Sequence, residues 1–220
     1  MRRWMTALAA AALASPAPAH FYFLLPADGP TPVRVVFNAT AVPTADTSPD
    51  AAKTAPFTAA KPGEKPTPVR VESGPAGSCT VAADPTAEVA GVVTAGVGFR
   101  GQTESALVIH QAYLQPDARK PGAPSSDGLT LRAVASGSGV VFTAAVDGKP
   151  VAVDLLVQGP GDKRPVVVGT AADGTTRAYT AKGQYAVRAH VIETKAGEYQ
   201  GRAYRQVRRY ATLVALVPTE

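Results

Sequence analysis

Gly183-Gln184-Tyr185-Ala186-Val187-Arg188-Ala189-His190-Val191 is the stretch that decides the fold. Tyr185, Val187, Ala189 and Val191 recur at every second position, with Arg188 and His190 between them. A strand sends alternate side chains to opposite faces, so this pattern describes a β-strand with one apolar face and one polar face. The same period of two continues outward in both directions. Arg209 to Val217 (RYATLVALV) follows a polar loop at 193–206, and further runs cover 21–25, 33–38, 67–72, 88–94, 105–114, 129–135, 139–146, 151–158 and 176–180. No stretch of helical length carries apolar residues at the 3.6-residue spacing. Gly and Pro, 20 of each, punctuate the short runs as turns, and Asp147-Gly148 and Asp173-Gly174 have hairpin chemistry. The chain is therefore expected to be all-β, as two Ig-like or prealbumin-like β-sandwich units.

Two stretches break this rhythm. Residues 41–66 are rich in Ala, Pro, Thr and Lys and are expected to form an exposed, mobile loop. Residues 115–128 (QPDARKPGAPSSDG) carry three prolines and no core former, which suits a linker. The expected organisation is a signal peptide at 1–19, an N-terminal β domain at 20–114, the linker, and a C-terminal β-sandwich at 129–220.

The signal peptide rests on Arg2 and Arg3, the apolar run Trp4–Leu13 broken only by Thr6, and the small residues Ala17 and Ala19. An apolar run of about ten residues falls short of the ~20 that span a bilayer, so export to the periplasm or medium without a transmembrane anchor is expected. Cleavage after Ala19 removes the sole Trp and two of the 22 Lys and Arg, leaving 20 against 17 Asp and Glu. A net charge this mild argues against nucleic acid as a partner. Cys79 is the only cysteine, so no intramolecular disulfide forms despite the oxidising route; burial as a small apolar residue is expected.

Motifs of common enzymes are missing. The sequence has no G-x-S-x-G and no H-E-x-x-H. Gly96, Gly98 and Gly101 match G-x-G-x-x-G, but a dinucleotide site needs a helix next and another β run follows. Asn38-Ala39-Thr40 is a glycosylation acceptor only in a eukaryotic secretory pathway. The protein is not expected to be an enzyme.

What remains is histidine, at positions 20, 110 and 190. Cleavage after Ala19 makes His20 the mature N-terminus, where a free α-amine and an imidazole sit on one residue and can chelate. An amine with two or three imidazoles suits Cu(II) or Ni(II), and the amine, with a reference pKa of about 7.7–8.0, must first lose its proton. The alternative is that His110 and His190 are ordinary packing or surface residues. The loop after Glu193 likewise has two readings. Glu193, Lys195, Glu198, Arg202, Arg205, Arg208 and Arg209 form a solvated charged hairpin, or Glu193 or Glu198 lends oxygen ligands, the arginines hold an anion, and Tyr210 approaches a metal axially. A copper monooxygenase also uses an N-terminal histidine, but such enzymes often dock polysaccharide on a flat aromatic face and the mature chain has no Trp.

Gly183 to His190, Lys195-Ala196-Gly197-Glu198-Tyr199-Gln200-Gly201 and Val207 to Leu213, with His20-Phe21-Tyr22-Phe23 at the mature start, resemble an exported family once described as the periplasmic nickel-uptake component NikM. Asp147-Gly148-Lys149-Pro150-Val151 is similar to the prealbumin-like sandwich of carboxypeptidase regulatory domains. The resemblance implies a periplasmic binding protein holding Ni or Cu through His20, His110 and His190, or else a non-metal protein that docks another envelope component. Family members usually carry histidine where this chain has Arg209, and often where it has Tyr199. Arginine repels a cation, so the resemblance implies a reduced site here.

Overall fold

A computed structural model describes residues 20–26, 33–42, 49–74, 78–98, 104–120 and 127–219. The expected signal peptide lies outside the described residues. Those residues are all-β: apart from one short 3-10 turn at Asp50–Thr54, every regular element is a strand.

The centre is an eight-stranded sheet. Its two innermost strands are β8 (Ala106–Gln115) and β17 (Gln206–Val217), paired in parallel. Outward from β8 lie β7 (Glu88–Gly98), β3 (Phe57–Ala60) and β4 (Thr67–Val69). Outward from β17 lie β14 (Gly183–Glu193), β12 (Asp154–Gln158) and β13 (Val166–Gly169). A four-stranded sheet of β1 (Phe21–Pro26), β2 (Val33–Asn38), β6 (Cys79–Val81) and β5 (Val71–Ser73) runs in the order β1-β2-β6-β5. A three-stranded sheet joins β9 (Leu129–Ser136), β10 (Gly139–Val146) and the two-residue β11 (Lys149–Pro150). A small hairpin, β15 (Gly197–Tyr199) with β16 (Arg202–Tyr204), completes the strands.

Strand alternation explains the layering. On β17, Val214 enters one core with Phe21, Phe23, Leu24, Val33 and Val89, while Ala211, Leu213, Ala215 and Val217 enter a second with Leu131, Phe142, Leu155 and Tyr185. Neighbouring residues of one strand face opposite ways, so the two smaller sheets cover opposite faces of the central one. Three stacked β layers result. β8 and β17 are sandwiched on both sides, which is why ALVIHQAYLQ and YATLVALV are nearly continuous apolar runs; parallel pairs are characteristically buried in this way.

The shared sheet changes the expected organisation. β8 precedes the stretch 115–128 and β17 follows it, yet they pair over ten residues, so the proposed linker does not separate two self-contained sheets. The part of it described here, 115–120, includes Ala118, fully buried, whose N–H bonds to Leu216 O. The expected mobile loop at 41–66 also needs correction. Its described part holds the 3-10 turn and β3, and Ala52 and Phe57 are core residues. Phe57 stands alone among Ala, Pro and Thr, too little large apolar pattern to mark a strand. β13 was likewise not expected, whereas 176–180 forms only one isolated bridge, Tyr179 to Val140. Asp147 and Gly148, both at positive φ, turn β10 into β11 as their sequence requires.

Candidate functional site

Registers across the central sheet place the histidines. His190 on β14 is opposite Tyr210 on β17, and Tyr210 is opposite His110 on β8. The three side chains form one row on the face that carries Thr212, Ala112 and Val214, beneath the four-stranded sheet. The rings stack across the strands: His110 to Tyr210 is 5.1 Å between centroids at 19°, and Tyr210 to His190 is 6.0 Å at 24°. Strands lie about 4.8 Å apart, so flat side chains at matched positions stack in this way.

Strand β1 closes over the row. Tyr22 meets His110 edge-on at 5.3 Å, Phe21 meets Tyr210 edge-on at 5.6 Å, and Phe37 of β2 stands 6.3 Å from His110 and 4.5 Å from Tyr22. Thr212 Oγ1 donates to Tyr22 O and fixes β1 along β17. Arg188, which shares the His190 face of β14, sets its guanidinium 4.8 Å above the Phe21 ring and donates to Ala39 O. Burial pushes the Arg188 guanidinium below its ordinary value.

This geometry fits the three histidines to aromatic packing rather than to one shared ion. His110 is only 3% exposed and is enclosed by Tyr22, Phe37 and Tyr210. His190 is exposed, and the Tyr210 ring stands between the two. His20 is half-buried at the head of β1, 5.4 Å from Phe37. Metal–imidazole bonds are about 2.0–2.1 Å, so two histidines sharing an ion cannot have a full ring interposed. Among the described residues no group of three His, Cys, Asp or Glu is placed to hold a metal. Tyr210 is the spacer of the row, not an axial donor to a centre between the histidines.

One pair and two tyrosines of the charged loop have defined contacts. Arg209 Nε donates to Glu193 Oε1 at 2.5 Å, so the carboxylate considered as a ligand is engaged by the arginine. Tyr199 and Tyr204 of the hairpin pack on Val97, Leu107 and Val207 in a small third cluster. Gly96 and Gly98 lie in β7, where the pairing with β8 shifts between Thr94 and Gly96, and a strand follows; Gly101 lies outside the described residues. Cys79 is fully buried on β6, and burial pushes its thiol up.

Two residues that sequence reasoning missed organise the opposite face. β9 is an edge strand of its own sheet, and glutamines from β8 serve as its missing neighbour. Gln111 Oε1 accepts from Leu129 N at 2.6 Å and its Nε2 donates to Asp127 O at 2.8 Å. Gln115 Oε1 accepts from Ala133 N at 2.8 Å and its Nε2 donates to Ala133 O at 3.1 Å. The signal was present as polar residues at 111 and 115 on one face of an otherwise apolar strand. No known protein family, curated protein or solved structure matches the chain.

Proposed function

We propose that the chain is a soluble exported binding protein of the periplasm, not an enzyme, that takes a Ni or Cu ion at its mature N-terminus. The observation that carries this reading is the position of His20. It opens β1 against Phe37, at the head of a strand anchored by Thr212, so cleavage after Ala19 leaves the amine and imidazole on a held residue rather than a free tail. Those two donors belong to one residue and need no convergence with His110 or His190. An amine beside an imidazole is a donor pair that suits Ni or Cu, and His110 is a packing residue in this reading.

Calorimetric titration with Cu(II) and Ni(II) tests it. Protein beginning at His20 is expected to bind at least about tenfold more tightly than protein with one alanine added before His20, because the added residue moves the amine out of the chelate. Affinity should also fall as pH drops below the amine's reference value of about 7.7–8.0. Equal binding by the two proteins sinks the chelate.

A second reading, a metal-free module that docks another envelope component, is favoured by the Tyr210 ring between His110 and His190. It expects no metal-dependent heat from either protein.

A further inference from the structure

The eight-stranded sheet ends in β4 on one side and β13 on the other, and of the two only β4 carries a proline within the strand itself. β4 contains Pro68 and follows Lys61, Glu64 and Lys65, the charges and proline that keep edges from pairing. β13 has neither within Val166–Gly169, and Val166 and Val167 are 56% and 60% exposed.

The direction of its free hydrogen-bonding groups follows from one bond. Thr170 N donates to Val153 O, which makes that pair a bonded one in the antiparallel β12–β13 ladder. Bonded and non-bonded pairs alternate, so Val168 and Val166 also bond inward to β12. Val167 and Gly169 turn their N–H and C=O outward, away from the sheet.

We propose that β13 is a self-association edge, at which two copies of this chain pair antiparallel about a two-fold axis at Val167. The two Val167 residues then exchange N–H···O=C bonds. Gly169 N–H of each copy meets the Pro165 carbonyl of the other, and because proline has no N–H to return, the Gly169 carbonyl stays with water. The second copy is the occupant because the edge is self-complementary in charge. Exposed Lys163 and Arg164 lead into β13 and outnumber Asp162 beside them, whose carboxylate accepts from Gly159 N, whereas exposed Asp154, paired with Gly169, and exposed Asp173 lie at its far end. Bonds from Thr175 hold the Asp173 carboxyl below the usual carboxylate range, so it stays anionic. Antiparallel pairing sets the basic end of each copy beside the acidic end of the other, twice, as a closed two-fold contact allows. A four-residue edge is small, so the dimer is weak and reversible.

Sedimentation equilibrium on the purified exported chain, up to about 1 mM, tests this. A reversible monomer–dimer equilibrium is expected, weakening as salt rises. Val167→Pro removes only an outward N–H, so its fold, checked by circular dichroism, is retained while association falls about tenfold or more. Lys163→Glu with Arg164→Glu weakens association too, and adding Asp154→Lys with Asp173→Lys to that variant restores it. A chain that stays monomeric throughout, or a dimer unaffected by Val167→Pro, overturns the proposal.

Discussion

Gln115 shows how much a single buried polar side chain decides here. It is 4% exposed and meets both the N–H and the C=O of Ala133, groups on an edge strand that no backbone neighbour reaches. Replacing it with leucine keeps the volume but strands two buried backbone groups, each at about 1–3 kcal/mol. Gln115→Leu is therefore expected to lower stability by about 2–5 kcal/mol in urea unfolding, against less than about 0.5 kcal/mol for Gln184→Leu at an exposed position. A small loss from Gln115→Leu means that Ala133 finds other partners. The sequence shows Gln115 as a polar intrusion in an apolar strand, but its partner lies 18 positions on, in a different sheet. The histidines tell the same story. Alternation correctly separates Arg188 and His190 from Tyr185 and Val187. Only the pairing of β8 with β17, 100 residues apart, reveals that Tyr210 stands between His110 and His190.

Among the elements, β14 and β17 were the most legible, because half-buried strands with one apolar face carry their own pattern. β13 and β3 were not: four residues give too few alternations, and their neighbours are Gly, Pro and Ala. β1 is a different case, since all of Phe21 to Leu25 are buried and alternation could not name a solvent face. Its position depends on what it rests against. Thr212 bonds to its backbone, and Arg188 both covers Phe21 and holds Ala39 beyond the end of β2. Arg188→Met keeps the apolar stem but loses the charged donor and the cation over the ring. A loss of about 1–3 kcal/mol is expected, with faster amide exchange in β1 and β2 than in β9 and β10. Uniform acceleration through the molecule would mean that Arg188 supports the fold as a whole rather than this pair of strands.

At the scale of the whole molecule, two cores are built on one sheet. The halves on either side of 115–128 look separable in sequence, because proline-rich composition is a local property. A parallel pair joining residues 106–115 to 206–215 is not local, and neither strand advertises its partner. The consequence is energetic. Losing β17 exposes Ala211, Leu213, Ala215 and Val217 from one core and Val214 from the other, so neither core can open while the other stays closed. Burial of side chains the size of Leu213, Val214 and Val217 contributes about 1.5–3 kcal/mol each, and a fragment beginning at residue 129 forfeits β8, including the two glutamines that complete β9. Such a fragment is expected to show no cooperative melting transition, while the intact chain unfolds in one step. Tyr22 and Tyr210 lie at one core and Tyr179 and Tyr185 at the other, so tyrosine fluorescence samples both. Its urea curve should coincide with that of far-ultraviolet circular dichroism. Two resolved transitions, or a cooperative melt from the fragment, would show that the C-terminal sandwich closes without β8, and that the central sheet is a docking of two finished units rather than their common foundation.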